Sequence, residues 1–306
     1  MTTPVVALCI CTFRRPEGLR HLLGHVEKLD FDGQLHICVA DNDAGAEGIA
    51  VVEALADDYR WPVEAHPVTD RGISYSRNTA AAAALRHNPA FVAFLDDDEW
   101  PEPQWLQELL RVQQATAADA IGGPTLSVFP ESADDEAKQN QYYGADLKLP
   151  DGSACQLEAA GNFMVRASTL EALAPHFFHP DFALSGGEDL AFFMTLRDRQ
   201  ARMHWASEAR VHETVPDDRL SIEWLRKRVI VIANSRVHVM RMLEPGIAAS
   251  LVRGIKTIGL GSVASLLTLA GLLHKGLSER ARIMRWKFWG KLTAHLQMRV
   301  QRAEGR

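Results

Sequence analysis

Phe91-Val92-Ala93-Phe94-Leu95-Asp96-Asp97-Asp98-Glu99-Trp100 joins an unbroken apolar run to four consecutive carboxylic acids. Pro89 and Pro101 bracket the segment. The apolar half reads as a short buried strand. Carboxylates gathered at its end repel one another, because like charges in one site resist joint ionisation. A divalent cation removes that cost. Hard oxygen ligands at a strand end suit Mg2+ or Mn2+, which typically bridge to a substrate phosphate. Open α/β sheets bind ligands beyond the carboxyl ends of their strands. The alternative is a solvated acidic turn that caps the next helix.

Upstream, Val5-Val6-Ala7-Leu8-Cys9-Ile10-Cys11 reads as a first strand that turns at Thr12. Glu17 to Leu29, with leucines at 19, 22, 23 and 29, has the spacing of an amphipathic helix. Leu35-His36-Ile37-Cys38-Val39-Ala40 reads as a second strand and ends in Asp41-Asn42-Asp43. A third element, Gly72 to Thr79, runs into an alanine-rich helix ending near Arg86. This alternation predicts an α/β fold, a mostly parallel sheet with helices on both faces.

Further motifs follow in order: Ala160-Gly161-Asn162, Gly186-Gly187-Glu188-Asp189, Val211-His212-Glu213-Thr214-Val215-Pro216, and Arg219-Leu220-Ser221-Ile222-Glu223-Trp224-Leu225-Arg226. Together with Cys11-Thr12-Phe13-Arg14-Arg15-Pro16, Ala40-Asp41-Asn42-Asp43, the Gly72-Ile73-Ser74 to Arg77-Asn78 segment and the acidic run, this order resembles the inverting family 2 glycosyltransferases of GT-A fold. Within them it is most similar to bacterial succinoglycan-type β-1,4-glucosyltransferases, which extend lipid-linked oligosaccharides. The resemblance covers residues 4–235. It implies a Rossmann-like GT-A domain over 1–243, followed by a helical tail over 244–306. It also implies a nucleotide-sugar donor, foremost a UDP-sugar, and Mg2+ or Mn2+. The implied acceptor is polyprenyl-diphosphate-linked or another glycan, in exopolysaccharide or cell-surface polysaccharide synthesis.

The resemblance distributes roles over this chain. Thr12 and Arg14 follow the first strand, where GT-A enzymes contact the nucleotide; Arg14 equally suits a solvated helix start. Asp41 is implied to accept a hydrogen bond from a pyrimidine N–H, a task for an ionised carboxylate; a turn aspartate is the other reading. Arg77 either contacts the donor or pairs with Asp96 or Asp98. Asp96 and Asp98 match the outer positions of the family's Asp-x-Asp, implying Asp96 toward the ribose and Asp98 on the metal. On an extended segment these two point one way. Asp97, also placed in the donor-binding set, then points elsewhere, to a helix N-terminus or to Arg77. Glu99 is expected to cap a helix around Pro103 to Val112. Trp100 either lines the sugar pocket or packs, as Trp105 does.

Gly186-Gly187 permits unusual dihedrals, and Glu188-Asp189 opens the helical pattern Leu190, Phe193, Met194, Leu196. Acidic residues here also serve as helix caps. The resemblance implies the catalytic base, Asp189 ahead of Glu188. One base suffices for an inverting transfer, because the acceptor hydroxyl attacks opposite the leaving diphosphate and must shed its proton. His212 is either a further metal ligand or a structural histidine. Asn162 and Arg226 are candidates for acceptor or diphosphate contact; Arg219 and Arg228 share the second possibility or begin a basic surface.

The apolar fraction of 47% with 24% charged residues is ordinary for a globular protein. Cys9, Cys11, Cys38 and Cys155 form no C-x-x-C pair and read as core residues, not a metal or redox site, which suits a reducing cytosol. No signal peptide is expected from Met1-Thr2-Thr3-Pro4. Ser127 to Ser153 reads as a polar linker or loop on which Tyr142 and Tyr143 pack.

Charge is strongly uneven. Residues 226–306 carry 16 Lys+Arg against 3 Asp+Glu, a balance of +13. Residues 1–225 carry 17 against 36, a balance of −19. No nucleic-acid motif accompanies the basic tail, so nucleic acid is not an expected partner. Residues 257–273 are uncharged and slightly short of the roughly 20 residues that a spanning helix needs. Glu279 to Arg299 interleaves basic residues with Ile283, Met284, Trp286, Phe288, Trp289 and Leu292, as interfacial helices do. The expectation is peripheral attachment to an anionic membrane, the cytoplasmic face of the bacterial plasma membrane; a helical appendage or homo-oligomer interface is the other reading. Two other functional classes were open. A sugar-1-phosphate nucleotidyltransferase would carry a glycine-rich phosphate loop where Thr12-Phe13-Arg14-Arg15-Pro16 stands. A non-catalytic membrane-assembly subunit of the same fold has no need of the intact acidic run and Glu188-Asp189.

Overall fold

The structure, a computed structural model, describes residues 4–271 and 275–301. Met1 to Thr3, Leu272 and Leu273 of the uncharged stretch, and residues 302–306 of the tail lie outside the described residues. The strands are β1 Val5–Thr12, β2 Gln34–Asp41, β3 Val63–Pro67, β4 Phe91–Asp96, β5 Glu99–Pro101, β6 Ala120–Gly122, β7 Thr125–Val128, β8 Phe163–Arg166, β9 Met203–Trp205 and β10 Val211–Thr214. The helices are α1 Pro16–Val26, α2 Glu47–Leu55, α3 Ile73–Leu85, α4 Trp105–Thr116, the short α5 Asp135–Lys138 and α6 Ala167–Glu171, then α7 Glu188–Asp198, α8 Ile222–Leu243, α9 Ile247–Ala270 and α10 Lys275–His295.

The main sheet has the order β3-β2-β1-β4-β8-β6-β9. It is mostly parallel; β8 alone runs antiparallel to its neighbours, β4 and β6. A second sheet has the order β5-β10-β7. Side-chain alternation divides the core between the two faces of β1. Val6, Leu8 and Ile10 pack with the leucines of α1, with Val51 and Val52 of α2 and with Trp105 of α4. Ala7 and Cys9 face the other way, with the alanines of α3 and with Phe192 and Phe193 of α7.

Register sets the site. Thr12 is the Cα partner of Asp41, and Cys11 of Asp96. The ends of β1, β2 and β4 therefore lie side by side, at the edge where such sheets bind ligands.

Several elements differ from expectation. The helix of the third element starts at Ile73, immediately after Gly72, whose φ is +130°. A Cβ on Gly72 would stand 2.6 Å from the Ala183 carbonyl oxygen, so the position requires glycine. The following helix begins at Trp105 and runs to Thr116, later than Pro103 to Val112. The 127–153 stretch contains α5, and Tyr143 packs edge-on against Phe129 at 5.3 Å.

Residues 1–183 with 188–216 form one compact unit; 184–187 with 217–306 form a second. The boundary expected after residue 243 therefore falls inside the second unit, because α8 packs along α10. Asn234 of α8 fixes that packing: its Nδ2 donates to the Gly290 and Met298 carbonyls and to Thr293 Oγ1, and its Oδ1 accepts from the Val300 N–H. α9 packs on the same α10, with Phe288 against Gly261 and Thr257 Oγ1 against His295 Nε2.

Candidate active site at the end of strand β4

The acidic run leaves the extended conformation. β4 ends at Asp96, residues 97 and 98 turn, and β5 starts at Glu99. The turn overrides strand alternation, so Asp97 and Asp98 do not point to opposite sides. Both meet Arg15, whose Nη1 lies 3.1 Å from Asp97 Oδ1 and 3.0 Å from Asp98 Oδ2. Thr12 Oγ1 donates to Asp97 Oδ2 at 2.9 Å. Asp96 instead accepts from Arg77 Nη2 at 3.0 Å, the pairing that sequence left open for Arg77. Arg77 is buried and also donates through Nη1 to Glu188 Oε1 at 2.8 Å. Burial alone would lower its pKa, but Asp96, Glu188 and Asp189 outweigh that and hold it charged. Two arginines thus share in neutralising the carboxylates. Arg15 was missed in the sequence, although Pro16 at the first helical position marks it as a residue held at the start of α1.

Glu99 does not cap the next helix. The residue preceding α4 is Gln104, without a side-chain cap bond. Glu99 is buried in β5, where Oε2 accepts from the Asp96 N–H and Oε1 from Thr125 Oγ1. Burial first, then repulsion from Asp96, raises its pKa well above the usual carboxylate range. It is a strut beneath the turn.

The other expected residues divide. Asp41 is buried, and both its oxygens accept backbone N–H groups, from Asp43 at 2.9 Å and Ile49 at 3.1 Å. It anchors the start of α2, the capping form of its turn reading. Asn42, unassigned in the sequence, ties the end of β2 to the approach to α3. Its Nδ2 donates to the Val68 and Asp70 carbonyls, and its Oδ1 accepts from the Gly72 N–H. Arg14 is exposed and pairs with Asp43 at 3.2 Å.

Asn162 is fully committed: it accepts from Trp105 Nε1 and donates to the Pro124 and Ala209 carbonyls. That removes it as an acceptor or diphosphate ligand and makes it a buried tie between β8, α4 and β10's approach. Trp100 stacks on His212 at 5.7 Å and meets His21 edge-on at 5.0 Å, its packing reading. His212 Nε2 lies 3.0 Å from Glu102 Oε1, a contact of the kind a structural histidine makes. Arg226 belongs to the second unit, is exposed and pairs with Glu223.

At the start of α7, Gly186 and Gly187 have φ of +72° and +97°, which glycine alone adopts without strain. Glu188 is buried on Arg77, whereas Asp189 is half-buried, with Oδ1 accepting from the Leu190 N–H at 2.7 Å. The geometry therefore separates the two acids: Glu188 positions Arg77, and Asp189 is the accessible one.

A divalent ion fits the turn. The side chains of Asp96 and Asp98 are 34% and 18% exposed, against 10% for Asp97. Mg2+ and Mn2+ sites commonly use one or two carboxylates, completed by substrate phosphate and water. Asp96 and Asp98 supply hard oxygens of that kind.

Burial pushes the Asp97 carboxyl up to about 6 from 3.8; Arg15 opposes this, Asp98 adds to it, Thr12 opposes it and Asp96 adds to it. A carboxyl raised on folding contributes stability that is complete below its unfolded pKa and lost as pH rises through its folded one. The stability of the wild type relative to Asp97→Asn should therefore fall between pH 3.8 and about 6 and level off above. The expected fall is on the order of 1–3 kcal/mol. Urea denaturation across that range measures it, and a flat difference contradicts it.

The comparisons agree with this geometry. The Glycosyl transferase family 2 model matches residues 7–174. The chain is 30% identical over 226 residues to the succinoglycan biosynthesis protein ExoM of Rhizobium meliloti, covering 72% of this chain and 70% of that one. It is 24% identical over 191 residues to the glycosyltransferase AglE of Haloferax volcanii, covering 61% and 60%. Among solved structures, the mannosyltransferase PcManGT of Pyrobaculum calidifontis, in complex with GDP-Man and Mn2+, superposes with a TM-score of 0.66 at 15% identity, over 96% of this chain and 88% of that one. S. aureus TarS 1-349 with UDP-GlcNAc gives 0.56 at 15% identity, over 96% and 92%. With a family match spanning most of the first unit and 30% identity along most of the chain, this protein belongs to glycosyl transferase family 2 and is a transferase of GT-A fold.

Proposed function

We propose that the chain transfers a sugar, with inversion, from a nucleoside-diphosphate sugar to a glycan acceptor carried on a lipid, in exopolysaccharide or cell-surface polysaccharide synthesis. The observation that carries this is the acidic turn with Asp96 and Asp98 accessible at the end of β4, facing strand ends that already hold Thr12 and Asp41. The printed name of ExoM supports a polysaccharide product, and the GDP-Man and UDP-GlcNAc complexes support a nucleotide-sugar donor.

In this reading Asp96 and Asp98 hold Mg2+ or Mn2+, Asp98 as the principal ligand. When bound there, the ion would supply charge compensation for the departing diphosphate. Thr12, Arg14 and Asp41 border the nucleoside. Arg77 keeps Asp96 and the start of α7 in one arrangement, with Glu188 as its positioning partner. Asp189 takes the proton of the acceptor hydroxyl as that oxygen bonds to the anomeric carbon. The bond from that carbon to the diphosphate oxygen breaks with its electron pair, releasing a nucleoside diphosphate.

The second unit supports membrane attachment. One face of α9 is bare: Ile247 is 82% exposed and Leu266 66%, with Leu251, Ile255, Ile258 and Leu269 exposed between or beyond them. By length and composition α9 can cross a membrane. Its other face, however, carries α10, with Arg280, Arg282, Arg285, Lys287 and Lys291; Arg285 Nη1 donates to Thr268 Oγ1 of α9 at 2.8 Å. Crossing would draw these charges into hydrocarbon at a cost of about 2.5–3.5 kcal/mol each on insertion scales. An α9 lying in the plane sinks its apolar face and leaves α10 among anionic headgroups, each basic side chain contributing about 1 kcal/mol. This supports a peripheral position on the cytoplasmic face, where nucleotide sugars meet lipid-linked glycans.

Two outcomes test this. Asp189→Asn should leave the donor KM within about threefold and lower kcat by roughly 100-fold or more, because a base acts on the acceptor. Retention of more than about a twentieth of wild-type kcat in a transfer assay removes Asp189 from this role. Ile255→Glu and Leu266→Glu, at exposed positions, should each weaken binding to anionic liposomes roughly tenfold or more without altering donor binding. Unchanged sedimentation with the liposomes would overturn the membrane reading.

A further inference from the structure

A second group of ligand-type side chains lies at the β2–β3 edge of the main sheet, on the face that α3 covers. Cys38 and Glu64 are Cα partners across the two parallel strands and so share a face. His66, two residues after Glu64, shares it too. His87 follows the end of α3 and reaches the same place. Cys38 Sγ donates to Glu64 Oε1 at 3.5 Å, and the Nε2 atoms of His66 and His87 each lie 3.1 Å from that same oxygen. The sulfur, the carboxylate oxygen and His87 Nε2 all lie within 4.8 Å of one another. Zinc bonded at about 2.0–2.3 Å in a tetrahedron holds its ligand atoms roughly 3.3–3.8 Å apart. Two of the three separations, 3.5 Å and 3.1 Å, are near that spacing already, and the third is within 4.8 Å.

We propose that Cys38, Glu64 and His87 bind a borderline-soft divalent ion of the Zn2+ class, and that His66, which touches Glu64 but lies outside the three-atom group, turns in as the fourth ligand. Thiolate and imidazole select against the hard Mg2+ and Mn2+ suited to the acidic turn. The three polar side chains are partly exposed while Cys38 is buried beneath them, so the ion enters from solvent and meets the sulfur last. Binding releases the Cys38 proton to water and leaves a Zn–S bond in its place. His87 is held for this: its ring stacks on His36 at 4.3 Å, with 13° between planes.

The competing arrangement is a carboxylate hub. Arg86 Nη2 stands 3.5 Å from Glu64 Oε1 and 3.4 Å from His66 Nε2. Arg86 is exposed, however, and can swing into solvent when a cation arrives. The hub also leaves Cys38 pressed against a carboxylate, which together with burial keeps the thiol protonated. A metal ion satisfies both groups at once. The site would fasten β3, an edge strand, to β2 and to the end of α3. The sequence reading dismissed a metal role for the cysteines because no C-x-x-C pair exists; these ligands come from three separate elements.

Titration of metal-stripped full-length protein with Co2+ tests this. The expected result is one equivalent of tetrahedral Co2+ with a thiolate-to-metal charge-transfer band, displaced by Zn2+. His87→Ala, at a partly exposed position outside the active site, should weaken Co2+ binding roughly tenfold or more while leaving donor binding intact. Cys38→Ser should lose the charge-transfer band. A wild type without that band at saturating Co2+, or a His87→Ala variant that binds as tightly as wild type, overturns the proposal, even should Cys38→Ser fail to fold.

Discussion

The guanidinium of Arg77 joins what the sequence keeps far apart. It sits on α3 and pairs with Asp96 at the end of β4 and with Glu188 at the start of α7, 111 residues along the chain. Removing one partner of such a buried pair commonly costs about 3–5 kcal/mol, because the remaining charge has nowhere to go. The pairing keeps Asp96 and the start of α7, where Asp189 stands, in one arrangement before any ligand arrives. Arg15 performs a parallel task for Asp97 and Asp98. The opening electrostatic argument, that a divalent ion must offset the acidic run, was therefore incomplete: two arginines already offset part of it. What remains is a turn with two accessible carboxylates, a better match to an ion that arrives with its substrate than to a permanently caged one.

The parallel half of the sheet was legible because β1, β2 and β4 are buried on both faces and read as continuous apolar runs. β3 was not, because Val63–Pro67 is a half-exposed edge with Glu64 and His66 in it. α2 was not, because Ala46 before it carries no capping side chain; the Ile49 N–H is instead met by Asp41 at the end of β2. Asp96, Asp98 and Asp189 were singled out by motif; the first ends β4, the second lies in the turn after it, and the third stands in the first turn of α7. Asn162 and Glu99 were misassigned for one shared reason: a polar residue in a motif looks the same in sequence whether it serves ligand or scaffold. Trp105 and Thr125, which engage them, lie in other elements.

The tail shows a different limit. Composition predicted two helices, one apolar and one basic, and both are present. Their antiparallel packing on each other decides what they do, and no periodicity in either segment announces it. The same packing brings α8 into the unit, through Asn234, which moves the boundary from residue 243 to residue 216. A chain cut at 243 would strip Ala233 and Asn234 of α8 of their contacts with Gly290 of α10, so point substitutions on α9 probe attachment more cleanly than truncation.

Calorimetric titration of wild type and Asp98→Asn with UDP and with GDP, each with Mn2+ and with a chelator, addresses the acidic turn directly. The account predicts that Mn2+ tightens binding of one of the two nucleotides to the wild type roughly tenfold or more, and that Asp98→Asn loses this gain while keeping its fold. A variant that retains the full Mn2+-dependent gain, or a wild type that shows none with either nucleotide, would contradict it.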